Sequence, residues 1–525
     1  MSKIRAFLLG SAATFGAASG ALAADLPASK AAPVEHVKVC SAQGAGFFYI
    51  PGTDTCIRIG GRARFEYNLS GPLKVGNPDR SSFRGLGRLQ VDARTNTEWG
   101  VLRTFVSFEI ASRTGGWSLR SGTAERMAQA FGATGVDTFN RAQKSVEADK
   151  AFIQFAGLTA GRFGSFFDFY GHTLELIGAT SSSDVLSTNG LAYTAKLGNG
   201  FTATVSMEDP TFRRTPVYYS GNTGPVVVGG KYYGNVGVTF DPATGLPLSY
   251  ASVDVAQRLN TPDFILALRQ DGDWGSAQLS AALHQISVGN YVSTGDAGTY
   301  IAPKRPDAAW GYAVQGGVKV NLPFLAKGDQ LWLQGAWGRG AMAYTGATAM
   351  FGGDSLTGQS FGRFTVNTVD AYVNAYGDLK LGQSWSVLGA FLHYWTPTVR
   401  QAVFASYSKI EYGSGARGAL GPLYAGVGGS LIPAGLQFSP QQAVTYAESA
   451  VLRDSGLLIA GTNLVWSPVK GLDIGAEVAF AQVRVDGRVK DANKNISYRV
   501  NGVTYARTAS TDYAWQGRLR IQRDF

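Results

Sequence analysis

The chain has 525 residues, with 68 Gly, 29 Phe, 23 Tyr and 10 Trp against only 16% charged residues, and a formal net charge of +10. Glycine and aromatics in such numbers suit strands, turns and interfacial rings, and argue against a helical enzyme. A mean hydropathy of −0.02 is no more apolar than that of a soluble protein, as expected of a membrane protein in which only every second strand residue meets lipid.

The N-terminus carries Lys3 and Arg5, an apolar run over 6–18 and then Ala21-Leu22-Ala23 before Ala24 and Asp25. This is the pattern of a secretory signal peptide over 1–23, with an apolar core too short to span a bilayer as a helix. No later stretch reaches the length of a membrane helix. Residues 24–56 then form an N-terminal periplasmic segment holding both cysteines, Cys40 and Cys56. In an exported chain a disulfide between them is the natural reading, worth about 3 kcal/mol for so short a loop, with two free thiols as the alternative. His36, His172, His284 and His393 are scattered, so neither a metal nor any other cofactor is expected.

Residues 57–525 read as barrel. Over 57–68, Ile57, Ile59, Ala63, Phe65 and Tyr67 share one face while Arg58, Arg62, Arg64 and Glu66 share the other. Arginine at every second position would be costly in a soluble core; in a wide barrel the charged face lines water and the apolar face meets acyl chains. The alternation returns at 88–94, with Arg88, Gln90, Asp92 and Arg94 inward, and at 102–110, with Arg103, Phe105, Ser107 and Glu109 inward. Further segments fall at 148–156, 158–166, 190–197, 201–208, 263–271, 275–287, 310–321, 330–342, 369–381, 384–395, 456–467, 472–485 and 512–525, sixteen in all. The fifteenth, 472–485, loses phase near Gln482, and Arg523 interrupts the outward set Tyr513, Trp515, Leu519, Ile521 and Phe525.

Connections at 97–100, 157–158, 197–200, 271–274, 323–328, 382–383 and 468–471 are brief and alternate with long ones. Short turns on one side and long loops on the other predict an all-β, sixteen-stranded antiparallel transmembrane barrel with both termini in the periplasm.

Three stretches then resemble one family. They are Pro33-Val34-Glu35 through Cys40 with Gly44-Ala45-Gly46-Phe47-Phe48-Tyr49-Ile50-Pro51-Gly52-Thr53-Asp54-Thr55-Cys56-Ile57-Arg58-Ile59-Gly60-Gly61; Asp92-Ala93-Arg94-Thr95-Asn96-Thr97-Glu98-Trp99-Gly100-Val101-Leu102-Arg103; and Ala151-Phe152-Ile153-Gln154-Phe155-Ala156-Gly157-Leu158-Thr159-Ala160-Gly161-Arg162-Phe163 with Ser165-Phe166-Phe167-Asp168. Together they resemble the alphaproteobacterial outer-membrane porins, trimeric general diffusion channels. The middle of the chain is similar in pattern only, and the long connections around 209–262 and 396–455 read as additions peculiar to this chain. The resemblance implies a homotrimer in the bacterial outer membrane, contact with lipid and lipopolysaccharide, and recognition of the last strand, ending in Phe525, by the barrel-assembly machinery. It also implies that loop 3, here 167–188, folds into the barrel. Asp168, Glu175 and Asp184 of that loop would face Arg58, Arg62, Arg64, Arg88, Arg94, Arg103, Lys150 and Arg162 of the wall across a constriction. The alternative is that these arginines pair with Glu66, Asp92 and Glu109 in ladders along the wall.

Other chemistry is weaker. Gly358-Gln359-Ser360-Phe361-Gly362 fits the G-x-S-x-G pattern, but lacks the strand and helix that strain a hydrolase serine into exposure, so no catalysis is expected. Arginines at strand period mark a lumen, not a nucleic-acid patch. A gated transporter would need a plug domain ahead of the first strand, and an adhesin would use the long loops without passing ions. The basic lumen predicts a preference for anions.

Overall fold

The computed structural model describes residues 38–71, 80–114, 142–185, 187–215, 217–218, 257–288, 307–348, 362–373, 379–413, 416–417, 440–492, 494 and 496–525, with short strands at 134–135, 226–228, 231–233, 236–240, 247–252, 292–294 and 358–360. The expected signal peptide and residues 24–37 of the N-terminal segment lie outside the described residues.

Sixteen strands close a barrel. β1 (Thr55–Gly71), β2 (Ser81–Thr97), β3 (Gly100–Thr114) and β4 (Ala142–Phe155) carry most of the arginine-rich face. The short β5 (Leu158–Phe163) and β6 (Thr188–Gly198) flank loop 3. Then follow β7 (Phe201–Glu208), β8 (Asp263–Gly272), β9 (Gly275–Ile286), β10 (Ala309–Asn321) and β11 (Gln330–Arg339). β12 (Gln383–Thr396), β13 (Val399–Glu411), β14 (Ser455–Val469), β15 (Leu472–Lys490) and β16 (Thr508–Asp524) complete the ring. Every neighbouring pair is antiparallel, and β16 returns to β1 with Asp524 opposite Arg62 and Trp515 opposite Gly71. Closure satisfies the backbone groups that lipid cannot.

The seam ends at Phe525, whose amide donates to the Gly61 carbonyl at 3.1 Å and whose carbonyl accepts the Gly61 amide at 3.0 Å. A side chain at Gly61 would meet the Phe525 ring and the Arg88 carbonyl, so the seam needs glycine there. Arg523, which breaks the outward apolar pattern, donates to the Lys470 carbonyl in the turn between β14 and β15. Its head thus leaves the lipid-facing surface for the polar rim. Leu89, Phe108, Ile110, Leu191, Leu266, Leu279, Val403 and Leu519 form the apolar outer wall, and Trp99, Phe201, Trp274, Phe324 and Trp395 ring its short-turn end, as an interfacial girdle does.

One expected strand is corrected. Residues 369–381 do not enter the barrel: Ala371–Val373 and Leu379–Leu381 form a hairpin within the long loop after β11, pairing also with Val217–Tyr218. The missing strand is β13, inside the expected 396–455 connection, reached by a tight turn at Pro397-Thr398 in which the Thr396 hydroxyl accepts the Thr398 and Val399 amides at 3.3 and 3.0 Å. Segment 384–395 therefore runs toward the short-turn side as β12, and Gly382 lies at the opposite end from the expected periplasmic turn. The strand number is unchanged because one segment replaces another. The phase of β15 also persists: Glu477, Ala479, Ala481, Val483 and Val485 are buried inward, while Gln482 and Arg484 are exposed outward.

A bulge in β4 sets the lumen chemistry. The register against β3 shifts between Ser107 and Phe108, so Lys150 pairs with Ser107 while Ala148 pairs with Phe108 and Asp149 is the extra residue. The added residue restores phase: Glu147 sits opposite Glu109 before the bulge, and Phe152 opposite Phe105 after it. The Cys40–Cys56 disulfide, with Cα atoms 6.0 Å apart, ties 38–56 to the base of β1 and buries Phe47 beside it.

Candidate functional site

Loop 3 leaves β5 and crosses the barrel. Its start is held by Gln278 of β9, whose side-chain amide donates to the Phe166, Phe167 and Asp168 carbonyls at 3.1–3.2 Å, and by Gln315 of β10, which donates to the Phe167 carbonyl at 2.9 Å. Gln334 of β11 accepts the Tyr170 amide at 3.1 Å. The far end docks on β14, β15 and β16: Asn463 donates to the Leu174 carbonyl at 2.7 Å, and Glu477 accepts the Leu176 and Ile177 amides at 2.6 and 2.7 Å. Arg518 reaches the Leu176 carbonyl at 2.7 Å and Arg520 reaches the same oxygen. Ser181 closes the return by donating from its amide to Ser406 at 2.9 Å and from its hydroxyl to Ser408 at 3.0 Å on β13.

These polar ties flank an apolar cluster in which Phe169, Tyr170, Ile177 and Ala179 of the loop pack on Trp332, Leu388, Phe404, Ile459 and Ala481 of the wall. Loop 3 is therefore part of a core inside the barrel. Apolar burial of this kind contributes roughly 25 cal/mol per Å², which fixes the loop far more firmly than surface ion pairs do.

The loop's acids turn inward on the loop itself. Asp168 accepts Ser183 and Val185 at 2.5 Å each and pairs with Arg213 at 2.8 Å. Glu175 accepts the Ala179 and Thr180 amides at 2.7 and 3.1 Å and the Thr180 hydroxyl. Asp184 holds His172 Nδ1 at 2.9 Å while His172 Nε2 meets the Thr180 carbonyl at 2.8 Å. Burial disfavours the imidazolium of His172, but the Glu175 charge and the Asp184 bond outweigh it and raise its pKa to about 9.

The arginine face is a ladder. Glu66, fully buried, is surrounded by Arg520 at 2.6 Å, Arg84 at 3.3 Å, Arg64 at 3.6 Å and Arg518 at 3.7 Å. Glu109 binds Arg84 at 2.8 Å and Arg88 at 2.6 Å, and Arg88 also approaches Asp149 at 3.6 Å. Asp92 takes Arg94 and Arg103 at 2.9 Å each and Arg58 at 3.7 Å, and Arg62 pairs with Asp524 at 2.6 Å. The loop acids are thus bound within loop 3 and by Arg213, and the ladder arginines are bound by carboxylates of the wall. Stacking stiffens the ladder: Arg103 lies 5.3 and 5.4 Å from the Phe105 and Phe152 rings, and Arg94 and Arg58 lie 4.6 and 5.0 Å from Phe47.

Loop 4 (209–262, between β7 and β8) and loop 6 (340–382, between β11 and β12) contribute on the side away from the ladder. Arg213, buried, sits 4.0 Å above the Tyr344 ring and binds Ser165, Ser183 and Asp168 of loop 3. Burial would lower its pKa, but the Asp168 charge raises it. Tyr344 donates to Asp263, which also holds the buried His284 at 2.8 Å.

A family model described as the porin subfamily matches residues 25–505. The chain belongs to this porin family. Porin Omp2b of Brucella canis is 31% identical over 402 residues, covering 72% of this chain and 98% of the relative; Omp2b of Brucella neotomae is 35% identical over 251 residues, covering 45% and 63%. The outer-membrane channel DcaP of Acinetobacter baumannii covers 91% of this chain and 99% of its own at 13% identity and a TM-score of 0.49. With its barrel and its family established, the porin is a passive diffusion channel of the outer membrane.

In the porin, Arg58, Arg62, Arg64, Arg88, Arg94 and Arg103 fall together on one wall, with Lys150 at the β4 bulge; Arg162 on β5 donates to the Ala148 carbonyl at 2.7 Å. Asp168, Glu175 and Asp184 are brought together in loop 3, away from that set. Sequence reasoning missed Arg84, Arg518 and Arg520, although Gln516, Arg518, Arg520 and Gln522 alternate along β16 as clearly as the arginines of β1. The β4 bulge also stacks the Phe105 and Phe152 rings at 5.3 Å. Ser360 lies on a hairpin of Gly358–Ser360 with Thr365–Asn367.

Proposed function

We propose that the porin is a homotrimeric general diffusion channel for ions and small hydrophilic solutes, with anions favoured and no catalytic turnover. The observation that carries this reading is the division of the lumen. Loop 3 packs on one side with its carboxylates already bound, and the wall away from it presents Arg58, Arg62, Arg64, Arg84, Arg88, Arg94 and Arg103 against Glu66, Asp92, Glu109, Glu147, Asp149 and Asp524. Such a wall leaves excess positive charge within a Debye length, about 8 Å, of a permeating ion. Lys150 and Arg162 extend the same wall toward β5.

In this reading residues 1–23 are removed on export, 24–56 lie at the periplasmic mouth, and barrel-assembly machinery reads the strand ending in Phe525. The outer wall then meets lipid and lipopolysaccharide. The test is single-channel recording of the purified protein in a planar bilayer under a KCl gradient. Closures in three equal steps with a reversal potential of anion-selective sign support the reading; cation selectivity removes the anion preference, and an inserted but silent barrel removes the open channel. Plain monomeric steps would remove the trimer alone.

A further inference from the structure

Beyond the barrel's end, β15 and β16 continue into a basic connection whose hairpin pairs Ser497–Val500 with Val503–Ala506. Where this connection meets loop 6 lies a polar cavity of about 390 Å³ lined by Arg363, Arg488, Tyr498, Arg507, Thr508 and Thr511, among others. It is separate from the loop 3 constriction and uses none of the residues assigned there.

Two of its guanidinium groups are held in place before any ligand arrives. Arg488 donates from Nε to the Thr508 hydroxyl at 2.9 Å and from Nη2 to the Thr508 carbonyl at 2.8 Å. Arg363 binds Asp491 through Nε at 3.0 Å and Nη2 at 2.8 Å, and donates from Nη1 to the Thr511 carbonyl at 3.1 Å. Arg507 is exposed beside them. Carboxylates nearby are engaged and do not line the cavity: Asp491 is fully buried, Asp512 accepts the Arg363 and Tyr513 amides at 2.9 and 2.8 Å, and Glu448 accepts the Ala506 amide at 3.0 Å. The lining itself holds Arg363, Arg488 and Arg507 and no carboxylate, with Arg363 paired to the buried Asp491 behind it. At its edge Tyr498, 57% exposed, stacks on Tyr505 with centroids 5.5 Å apart and planes at 12°.

Several planar forks around one polar cavity match a phosphate, since guanidinium recognises it bidentately. A flat exposed aromatic face beside them suits the apolar side of a sugar ring. We propose that this cavity binds a phosphorylated sugar, with Arg363, Arg488 and Arg507 on the phosphate and Tyr498 against the ring. Two sources carry that chemistry at the cell surface: the phosphorylated sugars of lipopolysaccharide, and free sugar phosphates approaching the channel.

Isothermal titration of the detergent-purified full-length protein tests this without reference to ion flux, using glucose 6-phosphate, glucose, inorganic phosphate and deep-rough lipopolysaccharide as separate probes. The expected result is binding of glucose 6-phosphate that weakens at least tenfold in R488Q/R507Q, several-fold weaker binding of inorganic phosphate, and none of glucose. Y498A, which leaves the arginines in place, is expected to narrow the difference between glucose 6-phosphate and phosphate. If lipopolysaccharide alone binds, and loses at least tenfold in R488Q/R507Q, the site stands with the lipid as its source. Absence of binding by both phosphorylated probes overturns the proposal, as does binding that R488Q/R507Q and Y498A leave unchanged in protein with wild-type heat-modifiable gel migration.

Discussion

Glu477 on β15 accepts the backbone amide of Leu176 at 2.6 Å, so a wall carboxylate grips the far end of the loop that narrows the barrel. The neighbouring Ile177 amide binds the same carboxylate at 2.7 Å. Replacing it in E477A leaves the buried Ile177 amide and the part-buried Leu176 amide without their acceptor, a cost of about 1–3 kcal/mol for a buried amide left unmet. Because the sixteen strands close without this residue, the cost is expected to fall on loop 3: open-channel noise should rise and mean conductance should increase, with heat-modifiable migration of the barrel retained. An unchanged current trace in E477A would show that the apolar cluster and the remaining polar ties hold the loop without this carboxylate.

Glu66 has the most one-sided surroundings of the ladder, with Arg520 at 2.6 Å and Arg64, Arg84 and Arg518 all within 3.7 Å. E66Q keeps the shape but leaves these guanidinium groups repelling one another, and losing one partner of a buried ionic set typically costs about 3–5 kcal/mol. Lower resistance to thermal denaturation is therefore expected. Reversal potentials in a salt gradient should move toward anions, since a negative charge has left the wall. A shift toward cations, or none, would place the ladder outside the ion path.

The arginine strands were legible because each charged face stands against an apolar one, as at Arg58, Arg62 and Arg64 opposite Ile57, Ile59 and Phe65. β13 was hidden because its inner face, Ala402, Phe404, Ser406 and Ser408, is buried under loop 3 and carries no charge to mark a lumen. The false strand at 369–381 arises from the same cause in reverse: Val369, Ala371 and Tyr372 are buried inside packed loops and so alternate like wall residues. Composition gave loop 3 its three acids, but which bases they meet depends on a fold that brings Arg213 and His172 to them. The β4 bulge has no composition signature, and without it Phe152 and Phe105 do not meet.

His172 supplies a pH dependence. Its pKa of about 9 stands above the ordinary value near 6.5, so the protonated ring favours the folded loop. That contribution is complete below about pH 6.5 and is lost as pH rises through 9. The groups facing the ring are Asp184 and the Thr180 carbonyl, with Glu175 close by. Current noise from loop 3 is expected to grow between pH 7 and 10 in the wild type. D184N should move the onset to lower pH by removing the hydrogen-bonded charge. Noise that is flat with pH in the wild type would show that the loop does not register this proton.

Gly346 of loop 6 lies directly against the backbone of loop 3 at Ser181 and Ser182. Its φ of +69° is in the left-handed region, and a side chain there would bring a Cβ within 2.4 Å of the Ser182 amide nitrogen and 2.6 Å of the Ser181 carbonyl carbon. G346A therefore adds the left-handed cost of about 1–2 kcal/mol to a clash with backbone that cannot rotate away. Relief requires loop 6 to lift, which separates Tyr344 from Arg213 and opens the lumen on the side of β8 to β12. Larger single-channel conductance and new protease sensitivity within 340–382 are expected, with the strands intact. Conductance and cleavage identical to wild type would mean that loop 6 stays seated with its backbone rearranged, and that it does not limit the pore.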